Sequence, residues 1–437
     1  MKRSPRGARC ERSRTERNLQ QVPSRGPMAM YIKRLLISTP GFLVIKVDYS
    51  AHEVRGWSII SGDQGVADVF EQGAKLRRRY RLVPDPYISK RIEYEGDVHK
   101  INASYFFGIP IFEVVKDIRN AVKTVIFGLI YQQGDEGLAA STKRPVEEIG
   151  EIKRKFLDRF PVGLKWFDKV KSFARKNLYV ESPLGRRRNL FAFLLDDTLM
   201  GARGTISRSE RQAVNSPVQG FGSDLMMSAI RLMEKRCFQY WKKHKVWPNL
   251  RFSVSVHDSL SVEVAYEWLW FAVEIIEECM THDVAELMEK RHDMKFTSVP
   301  EIDFEVGAAE SVVESWDWSF EGMRKLLRQT LEFKRDELKD KSLSDPKVVE
   351  KLIDTMMEDQ YEMMPLWMKQ QLWANGIKIR SMDKDNVLDM ETRRRAKKYR
   401  NELKENLVKL QEILDREEAM KAPKQPEKQV KKKKKAA

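Results

Sequence analysis

The stretch Val44–Trp57, VIKVDYSAHEVRGW, holds the question on which the reading of this chain turns. An apolar run from Gly41, with the character of a buried strand, ends at Asp48. Glu53 and Arg55 follow on a segment that reads as a helix. An acid at such a junction is either a helix cap or a carboxylate aimed out of the end of a hydrophobic strand. The two differ in whether a second carboxylate, and something for the pair to act on, occur elsewhere.

A second carboxylate does occur. RFSVSVHDSLSVEV alternates with period two and is broken at His257-Asp258, the pattern of two strands meeting at a tight turn. Two strand-end carboxylates brought together hold two divalent cations, which activate a 3′-hydroxyl and stabilise a leaving pyrophosphate. Mg²⁺ suits such a site because it needs only one or two protein carboxylates. Taken singly, either Asp is more often structural. The third element is DIRNAVKTVIFGLIY, where Arg119, Lys123, Phe127 and Tyr131 are spaced by four and share one broad helix face. Two cations can clamp a triphosphate, and two aromatics can stack on a sugar and base. Alone, an amphipathic helix with Phe127 and Tyr131 in a core is the plainer reading.

The composition agrees with a polyanionic partner. There are 80 Lys+Arg against 64 Asp+Glu, although a solvated surface with a basic tail gives the same balance. Cys10, Cys237 and Cys279 lack CxxC spacing, so neither a disulfide framework nor a zinc site is indicated. No apolar run approaches the roughly 18 residues of a membrane span, and a cytoplasmic protein with no membrane partner is expected.

Along the chain, residues 1–26 form a basic lead-in and 74–96 a basic, aromatic-interleaved insertion, read as a loop or hairpin. Helical patterns dominate 97–178. YVESPLGRRRNLFAF reads as a hairpin turning at Gly185, and a long helix is expected after Pro217. A helix from about Tyr266 to Lys290 precedes a last strand, EIDFEVG. Residues 319–420 read as a charged helical extension, and 421–437 as a disordered Lys-rich tail.

Together the motifs resemble those of family A DNA polymerases. Asp48-Tyr49-Ser50…Glu53…Arg55, then Arg119…Lys123…Phe127…Tyr131, then Val256-His257-Asp258 are similar to motifs A, B and C. NLQQVPSR, GDVHKINASYFFGIP, LDRFPVGLKWFDKVKSFARKNLYVESPLGRRRNL and ERQAVNSPVQGFGSDLMMSAI resemble the connecting segments in the same order, from Asn18 to Trp318. The resemblance implies an α+β right-hand architecture: an antiparallel palm sheet (27–73 and 179–318), helical fingers (97–178), and here a helical C-terminal extension. It implies template-directed synthesis from dNTPs, with Asp48, Asp258 and the Tyr49 carbonyl holding two Mg²⁺ ions. Lys123 is then the candidate general acid, and Glu53 is a steric gate against the ribose 2′-hydroxyl. His99, Arg119, Lys123, Phe127 and Tyr131 complete the dNTP site. Asn18, Gln20, Arg211, Asn215, Gln219 and His257 face the primer–template.

Four departures stand out. Ser259 replaces the Glu usual after the motif C Asp. Gln132-Gln133 separates Tyr131 from Gly134. The insertion is either extra DNA-contacting surface, which KLRRRYR favours, or a tolerated lengthening of the chain. Only seventeen residues precede Asn18, from which a split enzyme is expected, with thumb and 3′–5′ exonuclease on a separate chain. The extension is expected to dock that partner or a processivity factor, or to be a solvated appendage. A bacteriophage source is expected. Two other readings are a single-subunit RNA polymerase-like enzyme and a non-catalytic DNA-binding replication subunit.

Overall fold

The computed structural model describes residues 35–82, 85–196, 198–316, 320–363 and 390–421. Asn18, Gln20, the basic lead-in and the Lys-rich tail from 422 onward lie outside the described residues.

The alternation in VIKVDY produces a two-faced strand. Strand β1 (Phe42–Tyr49) is the centre of an antiparallel sheet ordered β4-β5-β1-β6-β7. Its other strands are β4 (Leu250–Val256), β5 (Ser259–Ala265), β6 (Ile302–Gly307) and β7 (Val313–Ser315). A separate hairpin pairs β2 (Tyr179–Glu181) with β3 (Arg187–Asn189), and Gly185 turns it at φ 81°. Ile45 pairs with Val262 and Val306, and Val47 with Leu260 and Phe304, so this face of the sheet is buried. One residue out of phase, Lys46 pairs with Ser261 and Glu305, and Asp48 with Ser259 and Asp303. That face is polar, and the acids lie on it. The fold is α+β.

Helices α1 (His52–Ser61) to α8 (Pro161–Asn177) build the helical lobe. Trp57 of α1 is its anchor, stacked on Phe156 at 5.5 Å and on Phe167 at 5.4 Å. The indole lies so close to Gly163 that a Cβ there would come within 2.1 Å of it.

The insertion is helical, contrary to the expected loop or hairpin. Helix α2 (Gln64–Leu82) runs through it and α3 (Pro86–Glu95) follows. Asp85 caps α3 by accepting from the Tyr87 N–H at 2.8 Å, and Pro86 takes the first helical position, where its missing N–H costs nothing. The long helix also differs: α9 spans Ala202–His244, so it runs through Pro217 and does not follow it. Pro217 is buried, and Ser216 Oγ just before it donates back to the Gln212 carbonyl at 2.6 Å. Packing along both halves outweighs the one backbone hydrogen bond that the proline forfeits. Helices α10 (Leu269–Glu278) and α11 (Val284–His292) flank a π-helical turn at Cys279–Asp283, where one unbroken helix is expected.

Beyond Trp316, α12 (Phe320–Asp336) and α13 (Pro346–Met363) are part of the sheet's core. Met323, Leu326, Leu327, Leu331, Ile353 and Met357 pack into it, so this half is no solvated appendage. Lys334 is 1% exposed, and its Nζ donates to Ser38 Oγ (2.7 Å), Thr39 O (3.0 Å) and Phe42 O, fastening the loop that leads into β1. Helix α14 (Met390–Lys421) lies on the insertion instead: Asn406 donates to Asp85 Oδ2 at 2.6 Å, and Glu417 meets Lys90 at 2.9 Å.

Candidate active site

Asp48 is the last but one residue of β1, and Asp258 sits in the turn between β4 and β5. His257 turns the corner in the left-handed region at φ 56°, and the Tyr49 N–H donates to the Asp258 carbonyl at 3.1 Å. That bond fixes the two acids side by side at one end of the sheet. Burial, then the charge of Asp258, raises the Asp48 carboxyl to about 6. Its Oδ1 is buried with no hydrogen-bond partner. Hard oxygen donors, one left unsatisfied by protein, fit a divalent cation. Among the described residues no group of three or more His, Cys, Asp or Glu side chains is close enough to form a metal cage, so a cation here needs ligands beyond protein side chains.

The raised pKa of Asp48 has a signed consequence. Its folded value lies above the unfolded one, so the folded chain loses stability as pH climbs from about 4 to 6, and the whole penalty stands above 6. For a partly exposed group the screened cost is on the order of 1 kcal/mol. Asp48→Asn is therefore expected to raise the Tm of the metal-free protein by about 2 °C at pH 7.5 and to give no gain near pH 4. Melting curves at the two pH values check this.

A second constellation lies beside the acids. Asp97 caps α4 (Val98–Phe107), accepting from the N–H groups of His99 (2.9 Å) and Lys100 (3.2 Å), and its other oxygen holds Arg119 Nε. Arg119, Lys123 and Phe127 stand along α5 (Lys116–Ile130). His99 is buried 5.8 Å from the Phe127 ring, and burial, abetted by Lys123 and Arg119, lowers its imidazole to about 4 despite Asp97. Lys123 Nζ lies 5.7 Å from the same ring. Together with Arg55 and Arg77 these side chains line an open cavity of about 410 Å³, whose wall also carries Ser50, Asp97 and Asp303. Glu53 links the two constellations: burial and Asp258 raise its carboxyl to about 7, and Lys123 opposes them.

The other expected residues fall in two places. Tyr131 follows the last turn of α5, beyond the cavity wall, where Gln132 turns in the left-handed region. Arg211, Asn215 and Gln219 recur every fourth residue along α9, with Arg211 and Gln219 exposed. His257 is exposed at its turn.

The family model for DNA polymerase family A matches residues 10–312. The chain belongs to DNA polymerase family A. This family A chain is 29% identical over 273 residues to the thermostable DNA polymerase I of Thermus aquaticus, covering 61% of this chain and 28% of that protein. It is 29% identical over 279 residues to DNA polymerase I of Rhizobium leguminosarum, covering 64% of this chain and 24% of that one. A solved POL domain of Pol1 from M. smegmatis, in complex with DNA primer-template and dNTP, superposes with a TM-score of 0.54 at 26% identity, over 68% of this chain and 45% of that one. The chain thus spans about a quarter of the length of these two relatives.

Sequence reasoning missed four residues at or beside this site: Asp97, Asp303, Arg77 and His52. The Gly96-Asp97 pair ahead of an apolar run is the signal for a helix cap. Asp303 lies opposite Asp48 in register and receives a hydrogen bond from Ser50. Three arginines of KLRRRYR meet protein carboxylates: Arg77 meets Glu301, Arg78 meets Glu71, and Arg79 meets Glu402 at 3.5 Å, with Arg78 and Arg79 still more than half exposed. Glu301 is shared with Arg55 of α1.

Proposed function

We infer that this chain carries out template-directed DNA synthesis, adding dNTPs to a primer 3′ end. The observation that carries the reading is the pairing of Asp48 with Asp258 beside the cavity lined by His99, Arg119 and Lys123. A carboxylate pair next to a cationic pocket is the arrangement nucleotidyl transfer needs, since the 3′-hydroxyl must lose a proton while a triphosphate is held for in-line attack. Two divalent cations, Mg²⁺ by the chemistry of the oxygen donors, would be held by Asp48 and Asp258 with help from the Tyr49 carbonyl, and would supply Lewis acidity for attack and departure.

The chain's own residues do the rest. Arg119, locked by Asp97, and Lys123 bind the triphosphate, and Lys123 gives a proton to the departing pyrophosphate. Neutral His99 donates one ring N–H to a phosphate oxygen. Phe127 lies under the sugar, Glu53 crowds a 2′-hydroxyl, and Tyr131 stacks near the templating base. Arg211, Asn215, Gln219 and His257 follow the primer–template. Asn18 and Gln20, a separate chain with thumb and 3′–5′ exonuclease, and a processivity factor belong to the same proposal.

Primer extension tests it, with dNTPs and rNTPs supplied in parallel and with candidate partner chains present or absent. Template-dependent extension that strongly favours dNTPs is expected. Equal use of rNTPs would move the chain to the RNA polymerase-like reading. No extension in any combination would leave a DNA-binding subunit.

A further inference from the structure

His52 lies in motif A between Asp48 and Glu53, and no role described so far uses it. Its side chain is 9% exposed, and its Nδ1 is a buried polar atom with no hydrogen-bond partner. The charged atom facing Nδ1 is Asp258 Oδ2, 3.9 Å away. The ring is fixed on two other sides. Tyr49 meets it edge-on, with centroids 5.6 Å apart and planes at 87°. The Cε1–Nε2 edge lies against Gly222 of α9, so closely that a Cβ at 222 would stand 1.9 Å from either atom. The long helix thus has a residue without a side chain where the imidazole lodges.

A leucine of similar volume would fill this space without a polar atom, whereas an unpaired buried nitrogen costs about 1–3 kcal/mol. Its placement beside a site acid points to a partner gained in the working state. Asp258 is 40% exposed at a turn, free to close the ~1 Å that separates the present spacing from a hydrogen bond.

We propose that His52 is a positioning residue for Asp258: its Nδ1–H donates to Oδ2, fixes the carboxylate's orientation, and leaves the other oxygen for a divalent cation. The inference rests on the polymerase reading of Asp258. Partners of this kind around metal ligands change metal affinity or activity by about 10–100-fold.

The test compares the full-length chain with His52→Leu, which keeps the volume, and His52→Asn, whose Nδ2 can occupy the place of Nδ1. Mn²⁺ binding is followed by electron paramagnetic resonance, alongside kcat and KM for primer extension. His52→Leu is expected to weaken Mn²⁺ binding and lower kcat at least about tenfold, with KM for dNTP unchanged, and His52→Asn to restore most of both. Gly222→Ala should reproduce the Leu defect in Mn²⁺ binding by displacing the ring, and combined with His52→Leu should weaken Mn²⁺ binding no further. Wild-type Mn²⁺ affinity in His52→Leu would overturn the proposal. So would equal losses in the Leu and Asn variants accompanied by equal falls in Tm, which signify packing alone. If the wild type extends no primer, the polymerase reading fails, while the Mn²⁺ comparison still decides the role of His52.

Discussion

Asp258→Ala should cut primer extension by on the order of 10³-fold or more at saturating dNTP. The site places one unpartnered oxygen of Asp48 and the Asp258 carboxylate together, so removing either leaves a single acid to hold the cations. Folding should survive the change. Asp258 is partly exposed, and its charge destabilises Asp48, so the alanine relieves a repulsion. The Tyr49–Asp258 link is made by backbone and persists. The discriminating result is therefore lost turnover with an unchanged or raised Tm. Turnover within threefold of wild type would remove the two-carboxylate reading.

Lys123→Ala should lower kcat by about 10²–10⁴-fold, the range for loss of a general acid, and should also raise the KM for dNTP. Lys123 is the cation whose charge opposes the upward shift of Glu53, which already stands at about 7. Without it, the Glu53 carboxyl rises further and is protonated over more of the neutral range. The pH-dependent change in selectivity for dNTP over rNTP should then lie at higher pH in the variant's residual activity than in the wild type. Single-turnover incorporation at several pH values reads both effects. Full wild-type kcat would transfer the proton to another group.

What could be read from the sequence was whatever is encoded locally. The strand ending at Asp48, the turn at His257-Asp258 and the hairpin at Gly185 follow from period-two alternation and a turn residue, which need no distant partner. Arg119, Lys123 and Phe127 share a cavity because helical spacing alone puts them on one face. Misreadings came where the deciding partner is remote. The protein partners of KLRRRYR stayed hidden because Glu301 and Glu402, which bind Arg77 and Arg79, lie more than 220 residues away. Pro217 looked like a helix start because the packing that carries α9 through it is tertiary. The Asp85-Pro86 start of α3 was a legible cap, overshadowed by the surrounding prolines and charges. His52 gains meaning only from the gap at Gly222, 170 residues later.

The central position of β1 bears on how this chain is born. β1 emerges from the ribosome well before its two neighbours, β5 and β6, which begin at Ser259 and Ile302, and before Lys334, the lysine that fastens its entry loop. At roughly 5–20 residues per second, the strand waits about ten seconds to a minute before both edges are paired. During that interval FLVIKVDY is an apolar strand with two open edges, the kind of segment that chaperones hold and aggregates recruit. Yield of the recombinant protein should therefore depend on expression temperature and chaperone supply more steeply than its folded stability would suggest.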